Sequence, residues 1–300
     1  MRSNLWSSML HKALLADSGR VLDVRVSQDI DVYAWQNAIR RRAKAVHLGG
    51  TTMLARSLGR YLMFLDAEDV GFAPHILMDG FWESWITRFM VSRIQPGMVV
   101  ADIGANFGYY TLLMADLAGP GGKVLAFEPN TKVVAALAKS VAVNGYSATV
   151  QIEQVAVSDR SGETCLFVVP PGEPKNGYLV PATARTRHPD ATEVPVRKLD
   201  DYMAAHPRLD FIKIDAEGAE ERIFAGMTAL LERDRPEILL EFNAQRSADA
   251  ALFLDLLAGY YGREFQTIDH LGNLKPVTRE QLLTEQYGVD WMLFLNPKGA

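Results

Sequence analysis

Four carboxylates stand where apolar runs stop. Asp102 closes VVADIG, Glu128 closes VLAFEP, Asp215 closes FIKIDAEG and Glu241 closes EILLEFN. A charged group at the tip of an apolar strand is placed to meet a ligand at the strand ends rather than to fill a core. Asp102 is followed by Gly104 and Gly108 around Asn106. That turn carries few side chains, so the backbone can approach a ligand closely, and the helix after it offers free amides. The spacing does not satisfy G-x-G-x-x-G, because Asn106 replaces a glycine and Tyr109 follows Gly108. A nicotinamide-dependent oxidoreductase is therefore the weaker alternative.

The charge of Asp102 narrows the ligand further. A diphosphate would be repelled by it, whereas an ammonium would be attracted, directly or through water. S-adenosylmethionine fits this pattern, with an α-amino group, a sulfonium and no phosphate. Glu128 lies about twenty residues past the glycine turn, where a carboxylate can accept from both ribose hydroxyls. The run from Gln154 through Ala156 to Val157 falls where an adenine would lie between apolar walls.

The reacting centre is expected at the ends of the last two apolar runs. Two arrangements are open. In one, Asp215 or Glu217 takes a proton directly, its pKa raised by desolvation. In the other, Asp215, Glu241 and Asn243 gather around a divalent cation, an oxygen donor set suited to Mg2+ and similar, by analogy and not by family, to that of the catechol-type O-methyltransferases. A third role, helix capping by Asp215 and Glu217, needs no chemistry. Lys213 alternates with Asp215 along the same run. No two of the six histidines share a metal-ligand spacing. His188, with Tyr178, Arg185 and Arg187, lies in a polar segment that is a candidate lid over an acceptor.

These residues need a scaffold to position them. From Met98, continuous apolar runs alternate with helical patterns, the signature of a parallel sheet covered on both faces. The expected strands are MVVADIG, KVLAFEP, TVQIEQVAVSD, FIKIDAEG and PEILLEFN, with a closing pair in EFQTIDHLGNLKPVT and VDWMLFLNP. YYTLLMADLA, TKVVAALAKSVAVN, AEERIFAGMTALLER and SADAALFLDLLAGYYG read as helices. Between the third and fourth strands, about 161–209, lies a Pro- and Gly-rich insertion with two strand-like pieces, ETCLFVV and TEVPVRKL. The N-terminal part reads as a helical extension with short strands at Tyr61–Leu65 and in HILM. DVYAWQNAIRRRAKAVHL is its clearest helix, and GFWESWITRFMVSRI is a helix expected to pack on the sheet domain C-terminal to it. Two regions result: an extension over residues 1–80 and a ligand-binding domain over 81–300.

Composition sets outer limits. The chain has 300 residues, 48% of them hydrophobic, and a net charge of −5. That gives no basis for nucleic acid as a partner. Cys165 is the single cysteine, so no disulfide can form within the chain, which fits a reducing compartment. No apolar run reaches membrane-spanning length, and a cytoplasmic location is expected. The N-terminal helical pattern is a candidate for self-association into a homo-oligomer.

ADIGANFGYYT, LAFEPN, KLDDYM, FIKIDAEGAEERIFAGM and ILLEFN together resemble the FkbM family of S-adenosylmethionine-dependent methyltransferases, from about Gly80 to Asn243. The resemblance implies a class I, Rossmann-like methyltransferase fold and transfer of a methyl group to a hydroxyl of a small-molecule or carbohydrate-containing acceptor. It also implies that Asp102, Gly104, Asn106, Gly108, Thr111 and Glu128 form the cofactor site. Pro129 and Ala156 border that site, and Glu83, in DGFWES, is a candidate contact from the N-terminal side.

Overall fold

The computed structural model describes residues 21–170, 177–180, 183, 187–188, 191–204, 206, 208–284 and 290–297. After a single 3-10 turn at Val24–Gln28, helix α1 (Val32–Arg40) leads into strands β1 (Ala45–Gly49), β2 (Thr52–Ser57) and β3 (Tyr61–Asp66). Helices α2 (Ala73–Met78) and α3 (Ser84–Arg93) come next. Then come β4 (Val99–Ile103), α4 (Tyr109–Ala118), β5 (Lys123–Phe127), α5 (Thr131–Val143) and β6 (Val150–Glu153). β7 (Ala156–Val157) follows, and the insertion holds β8 (Glu163–Val168), β9 (Tyr178–Val180), β10 (Thr192–Arg197) and α6 (Leu199–Met203). The chain continues with β11 (Phe211–Ile214), α7 (Glu220–Ala225), α8 (Thr228–Asp234), β12 (Glu237–Phe242) and α9 (Ala250–Tyr261). It closes with β13 (Phe265–Ile268), β14 (Leu274–Val277), α10 (Arg279–Thr284) and β15 (Trp291–Leu295).

The central sheet has eight strands in the order β14-β13-β15-β12-β11-β4-β5-β6. Strands β12, β11, β4, β5 and β6 are mutually parallel. β15 runs antiparallel to β12, and β13 and β14 each run antiparallel to the strand they extend. The fold is thus a doubly wound α/β sheet that is mostly parallel. From β4 the chain works outward through β5 and β6, then returns to the other side of β4 with β11. The reversal leaves a crevice outside the carboxyl ends of β4 and β11, where Ile103 and Ile214 are paired.

Burial on both faces explains the unbroken apolar strands. Val100 to Ile103 of β4, Val124 to Phe127 of β5 and all of β11 are buried. Each aliphatic side chain hidden this way contributes ~1.5–3 kcal/mol. α5 starts where the Asn130 side chain accepts from the Lys132 amide, and it lays Val133, Leu137 and Val141 on the sheet at helical spacing. α4 is buried on nearly all sides, because the N-terminal extension covers the face turned away from the sheet. Leu22, Trp35, Tyr61 and Met63 of the extension join the same apolar cluster as Leu112 and Val124. Asp116 ties the two parts together, accepting from Arg60 at 2.9 Å and from the Tyr61 hydroxyl at 3.1 Å.

Several expected elements are redrawn. The short strand expected at Tyr61–Leu65 is β3, but it is one of three, since β1, β2 and β3 form an antiparallel meander. The helix expected through Leu48 ends at Arg40, where Arg42 folds back to donate to the Ala38 carbonyl at 2.8 Å. Val46 and His47 then pair with Leu54 and Met53. HILM lies in helix α2, started by Asp69, whose carboxylate accepts from the Phe72 and Ala73 amides. The third core strand breaks after Glu153, so β7 leaves the central sheet and pairs with β10 in a four-stranded sheet, order β7-β10-β8-β9. The expected helix after β11 is two, separated at Gly226, where any Cβ would stand 2.0 Å from the Ser158 carbonyl oxygen. The closing pair of strands is three, since EFQTIDHLGNLKPV makes the β13–β14 hairpin. Residues 1–20, and with them the earliest helical pattern, lie outside the described residues. No helix among the described residues is long and apolar enough to cross a membrane.

Candidate active site

A cavity of about 710 Å³ opens at the carboxyl edge of β4, β5, β11 and β12. Its walls come from many separate stretches of the chain, and three sides differ in their chemistry.

The first side is the glycine turn after β4. Gly104 takes φ +78°, and a Cβ there would stand 1.8 Å from the Asp215 carbonyl oxygen. The amides of Gly104 and Ala105 both donate to the Phe127 carbonyl at 3.0 Å, which fastens the turn to the end of β5. Asn106 sits at φ +51°. Its amide donates to Glu128 Oε2 at 2.9 Å, while the Asn130 amide donates to Oε1 at 2.8 Å. Burial pushes the Glu128 carboxyl up to about 7, against the pull of those two amides. Each oxygen keeps a second acceptor direction.

The second side is an apolar slot beside Glu128. Phe127, Val155, Ala156 and Val157 line it together with Phe167 and Leu179 of the insertion. The insertion therefore reaches the cavity through apolar residues. Tyr178 and His188 do not line it, and their rings lie against each other at 6.4 Å instead. Arg187 is exposed, and Arg185 lies outside the described residues.

The third side carries the charged groups. Lys213 is 1% exposed although it sits within β11. Its Nζ donates to Asp215 Oδ2 at 2.9 Å and lies 4.9 Å from the centroid of the Tyr110 ring. Burial works to lower this ammonium, but the carboxylates of Asp215 and Asp102 outweigh it and hold the lysine charged. Tyr110 in turn donates its hydroxyl to Glu83 Oε2 at 2.6 Å. Further along, Arg246 Nη1 reaches Glu217 Oε2 at 2.5 Å and Glu241 Oε2 at 3.1 Å, and Nη2 bonds Asp290. Burial, with the neighbouring Asp215 charge, raises Glu217 to about 7. The same causes, with Glu217 added, push Glu241 upward more strongly.

Backbone strain collects here as well. Five non-glycine residues of the described chain have positive φ: Leu58, Glu83, Asn106, Glu217 and Arg235. Glu83, Asn106 and Glu217 all line the cavity. Such conformations cost ~1–3 kcal/mol each and persist where the surroundings over-determine them.

Of the expected site residues, Glu83, Gly104, Asn106, Glu128, Pro129, Ala156, Asp215, Glu217 and Glu241 reach this cavity. Asp102, Gly108 and Thr111 stand behind it. Asp102 is fully buried, and its Oδ2 accepts from Thr111 Oγ1 at 2.6 Å. Its Oδ1 has no hydrogen-bond partner, and desolvation raises its pKa. The expectation that Asp102 points at the ligand is corrected: it backs Lys213 from within the sheet. Gly108, at φ +94°, starts α4, and a Cβ there would lie 2.4 Å from Leu137.

The metal arrangement does not assemble. Asp215 is paired with Lys213, and Glu241 is paired with Arg246. Asn243 lies off the cavity and donates to Asp290 at 2.7 Å. A guanidinium stands where Glu217, Glu241 and Asp290 converge, and no metal-holding acidic or histidine cluster occurs among the described residues.

Arg246, Asp290 and the tryptophans of the cavity carry no sequence signal of their own. Topology could have found Asp290 and Trp291. An antiparallel β15 brings its first residues to the carboxyl end of β12, where Trp291 pairs with Phe242. Trp82 and Trp85 were expected only as packing residues, yet both line the cavity.

A family model for the methyltransferase FkbM domain matches residues 102–265, more than half of the chain. The chain belongs to the FkbM methyltransferase family. It is 29% identical over 187 residues to the 31-O-demethyl-FK506 methyltransferase FkbM of Streptomyces tacrolimicus, covering 53% of this chain and 70% of the relative. It is 27% identical over 165 residues to the methyltransferase sdnD of Sordaria araneosa, covering 46% of this chain and 63% of the relative. A crystal structure of methyltransferase FkbM from Methylobacillus flagellatus KT aligns at 14% identity with a TM-score of 0.42, over 67% of this chain and 43% of that one. The FkbM match begins at Asp102, so the β1–β3 meander and the Trp82-Glu83 wall lie before it.

Proposed function

We propose that this FkbM-family methyltransferase uses S-adenosylmethionine and methylates a hydroxyl of a small-molecule or saccharide-containing acceptor. The observation that carries the cofactor reading is the charge of the cavity. Its described lining holds six carboxylates against Lys213 and Arg246. A dinucleotide diphosphate would enter a field that repels it, which also weighs against an oxidoreductase, whereas a nucleoside with a net positive charge is drawn in. The donor set agrees with this. Glu128 offers paired acceptors to a ribose, the slot beside Ala156 takes a flat base, and Glu83 and Asp215 meet an ammonium. The name of the Streptomyces relative points to an oxygen acceptor.

When bound, the cofactor supplies an electrophilic methyl group. The residues of the chain must hold an acceptor hydroxyl and remove its proton. Glu217 suits the base. It lines the cavity, its backbone is fixed at φ +51°, and its carboxyl titrates near neutral pH. Arg246 fixes its side chain and disperses the charge shared with Glu241 and Asp290. Asp215, held by Lys213, orients the ligand rather than taking the proton. A metal-assisted reaction of the catechol type is not supported by a donor set already engaged with Lys213, Arg246 and Asp290.

The test is to supply methyl-labelled S-adenosylmethionine with pooled hydroxylated metabolites and to locate the label by mass spectrometry and NMR. A methyl ether on a small molecule is expected. Label on nitrogen, or on carboxyl groups of protein, would refute the oxygen-acceptor reading.

A further inference from the structure

Acidic side chains outnumber basic ones around the cavity even with the cofactor counted. Four more carboxylates than cations line it among the described residues. S-adenosylmethionine brings a single net positive charge. The excess is greatest at the end away from Glu128, where the one guanidinium of Arg246 serves Glu217, Glu241 and Asp290. Lys213 cannot help there, since Asp215 engages it and Asp102 stands behind it.

A second observation concerns the walls. Trp82, Trp85 and Trp291 all line the cavity. Two of them flank Glu83 in sequence order, Trp82 directly, and Trp291 directly follows Asp290. An indole face attracts a cation through its quadrupole, and the attraction grows where water is excluded. Carboxylates alone would suit many polar groups. At the Arg246 end the indole is that of Trp291, next to Asp290 in the chain, and carboxylates beside an indole suit an organic cation.

We propose that the acceptor carries a protonated amine as well as the hydroxyl to be methylated, the ammonium being received where Glu217, Asp290 and Trp291 meet. The ammonium pairs with acids that Arg246 alone serves three at a time, and its charge draws the raised Glu217 and Glu241 carboxyls back toward ionisation. This inference rests on the methyl-transfer reading above and specifies the substrate class for that site.

The experiment uses the full chain saturated with S-adenosylhomocysteine and two matched sets of probes. One set is tyramine, para-ethylphenol and para-hydroxyphenylpropionate. The other is a methyl glucoside, its amino-sugar analogue and its uronate. Calorimetry at neutral pH reads the affinities. The amine is expected to bind about tenfold or more tightly than the neutral member in at least one set, and the anion least, as a charge-assisted contact requires. Asp290→Asn should shrink that preference by about tenfold and leave S-adenosylhomocysteine affinity unchanged. Equal affinities within both sets, a preference for the anion, or no amine binding at millimolar concentration would overturn the inference. Failure of S-adenosylhomocysteine itself to bind would instead overturn the methyl-transfer reading, and this inference with it.

Discussion

Glu128→Gln isolates the ribose contact. Both carboxylate oxygens of Glu128 accept a backbone amide, from Asn106 at 2.9 Å and Asn130 at 2.8 Å, and each retains one further acceptor direction toward the cavity. Glutamine removes the charge. It also turns an NH2 group toward one of those two amides, so a donor faces a donor. Losing hydrogen bonds to a charged acceptor costs about 1.5–3 kcal/mol. The Kd for S-adenosylhomocysteine should therefore rise roughly 10- to 150-fold. The pH dependence sharpens the test. Burial raises Glu128 to about 7, so its ionised fraction climbs from about a tenth at pH 6 to about nine-tenths at pH 8. The wild-type protein should bind up to about tenfold more tightly at the upper pH, and the variant should lack that part of the slope. Isothermal titration calorimetry at both pH values, with thermal unfolding as a control for folding, measures this. An affinity within about twofold of wild type, or an unchanged slope, would refute the placement of the nucleoside at Glu128.

Other expectations rest on the same geometry. Glu217→Gln should lower kcat by about 10²- to 10⁴-fold. The wild-type rate should climb as pH rises through about 7, because the base must lose its proton first, and that limb should vanish in the variant. A loss of less than tenfold with the limb intact would move the proton to another acid. Gly104→Ala should destabilise the protein by about 3 kcal/mol or more, since φ is +78° and the new methyl would meet the Asp215 carbonyl. A urea midpoint close to wild type would contradict this. Stability without ligand should fall between about pH 5 and pH 8. The folded pKa values of Asp102, Glu128, Glu217, Glu220 and Glu241 are all raised, so the native state binds more protons than the unfolded chain across that window. Asp234 and Asp269 are lowered, and their stabilisation is lost only at more acid pH. A Tm that rises from pH 6 to pH 8 would contradict the burial of these acids.

The core sheet was legible because two-sided burial writes unbroken apolar runs, and β4, β5, β11 and β12 each fill one such run. Glu128, Asp215 and Glu241 were legible for a related reason: a charge that ends an apolar run must find the strand edge, and Glu217 follows two residues after one of them. Asp102 obeys the same pattern yet points inward. Its counter-ion, Lys213, lies in a different strand 111 residues away and pairs across the β4–β11 register. Arg246 and Asp290 were hidden because they act only once β15 has folded back against β12. The meander of β1, β2 and β3 was hidden by composition. β1 is exposed along its length, so AVHLG shows neither alternation nor a continuous apolar run. HILM has strand-like composition, and only the Asp69 carboxylate receiving the Phe72 and Ala73 amides and the burial of Ile76 reveal α2.

The central claim is that the carboxylate-rich crevice outside the carboxyl ends of β4 and β11 holds a positively charged, phosphate-free nucleoside. A crystal structure of the protein grown with S-adenosylmethionine tests it most directly. The nucleoside should occupy the 710 Å³ cavity, with its ribose on Glu128 and its base beside Ala156. An empty crevice, or a nucleotide diphosphate bound there in preference, would contradict the account.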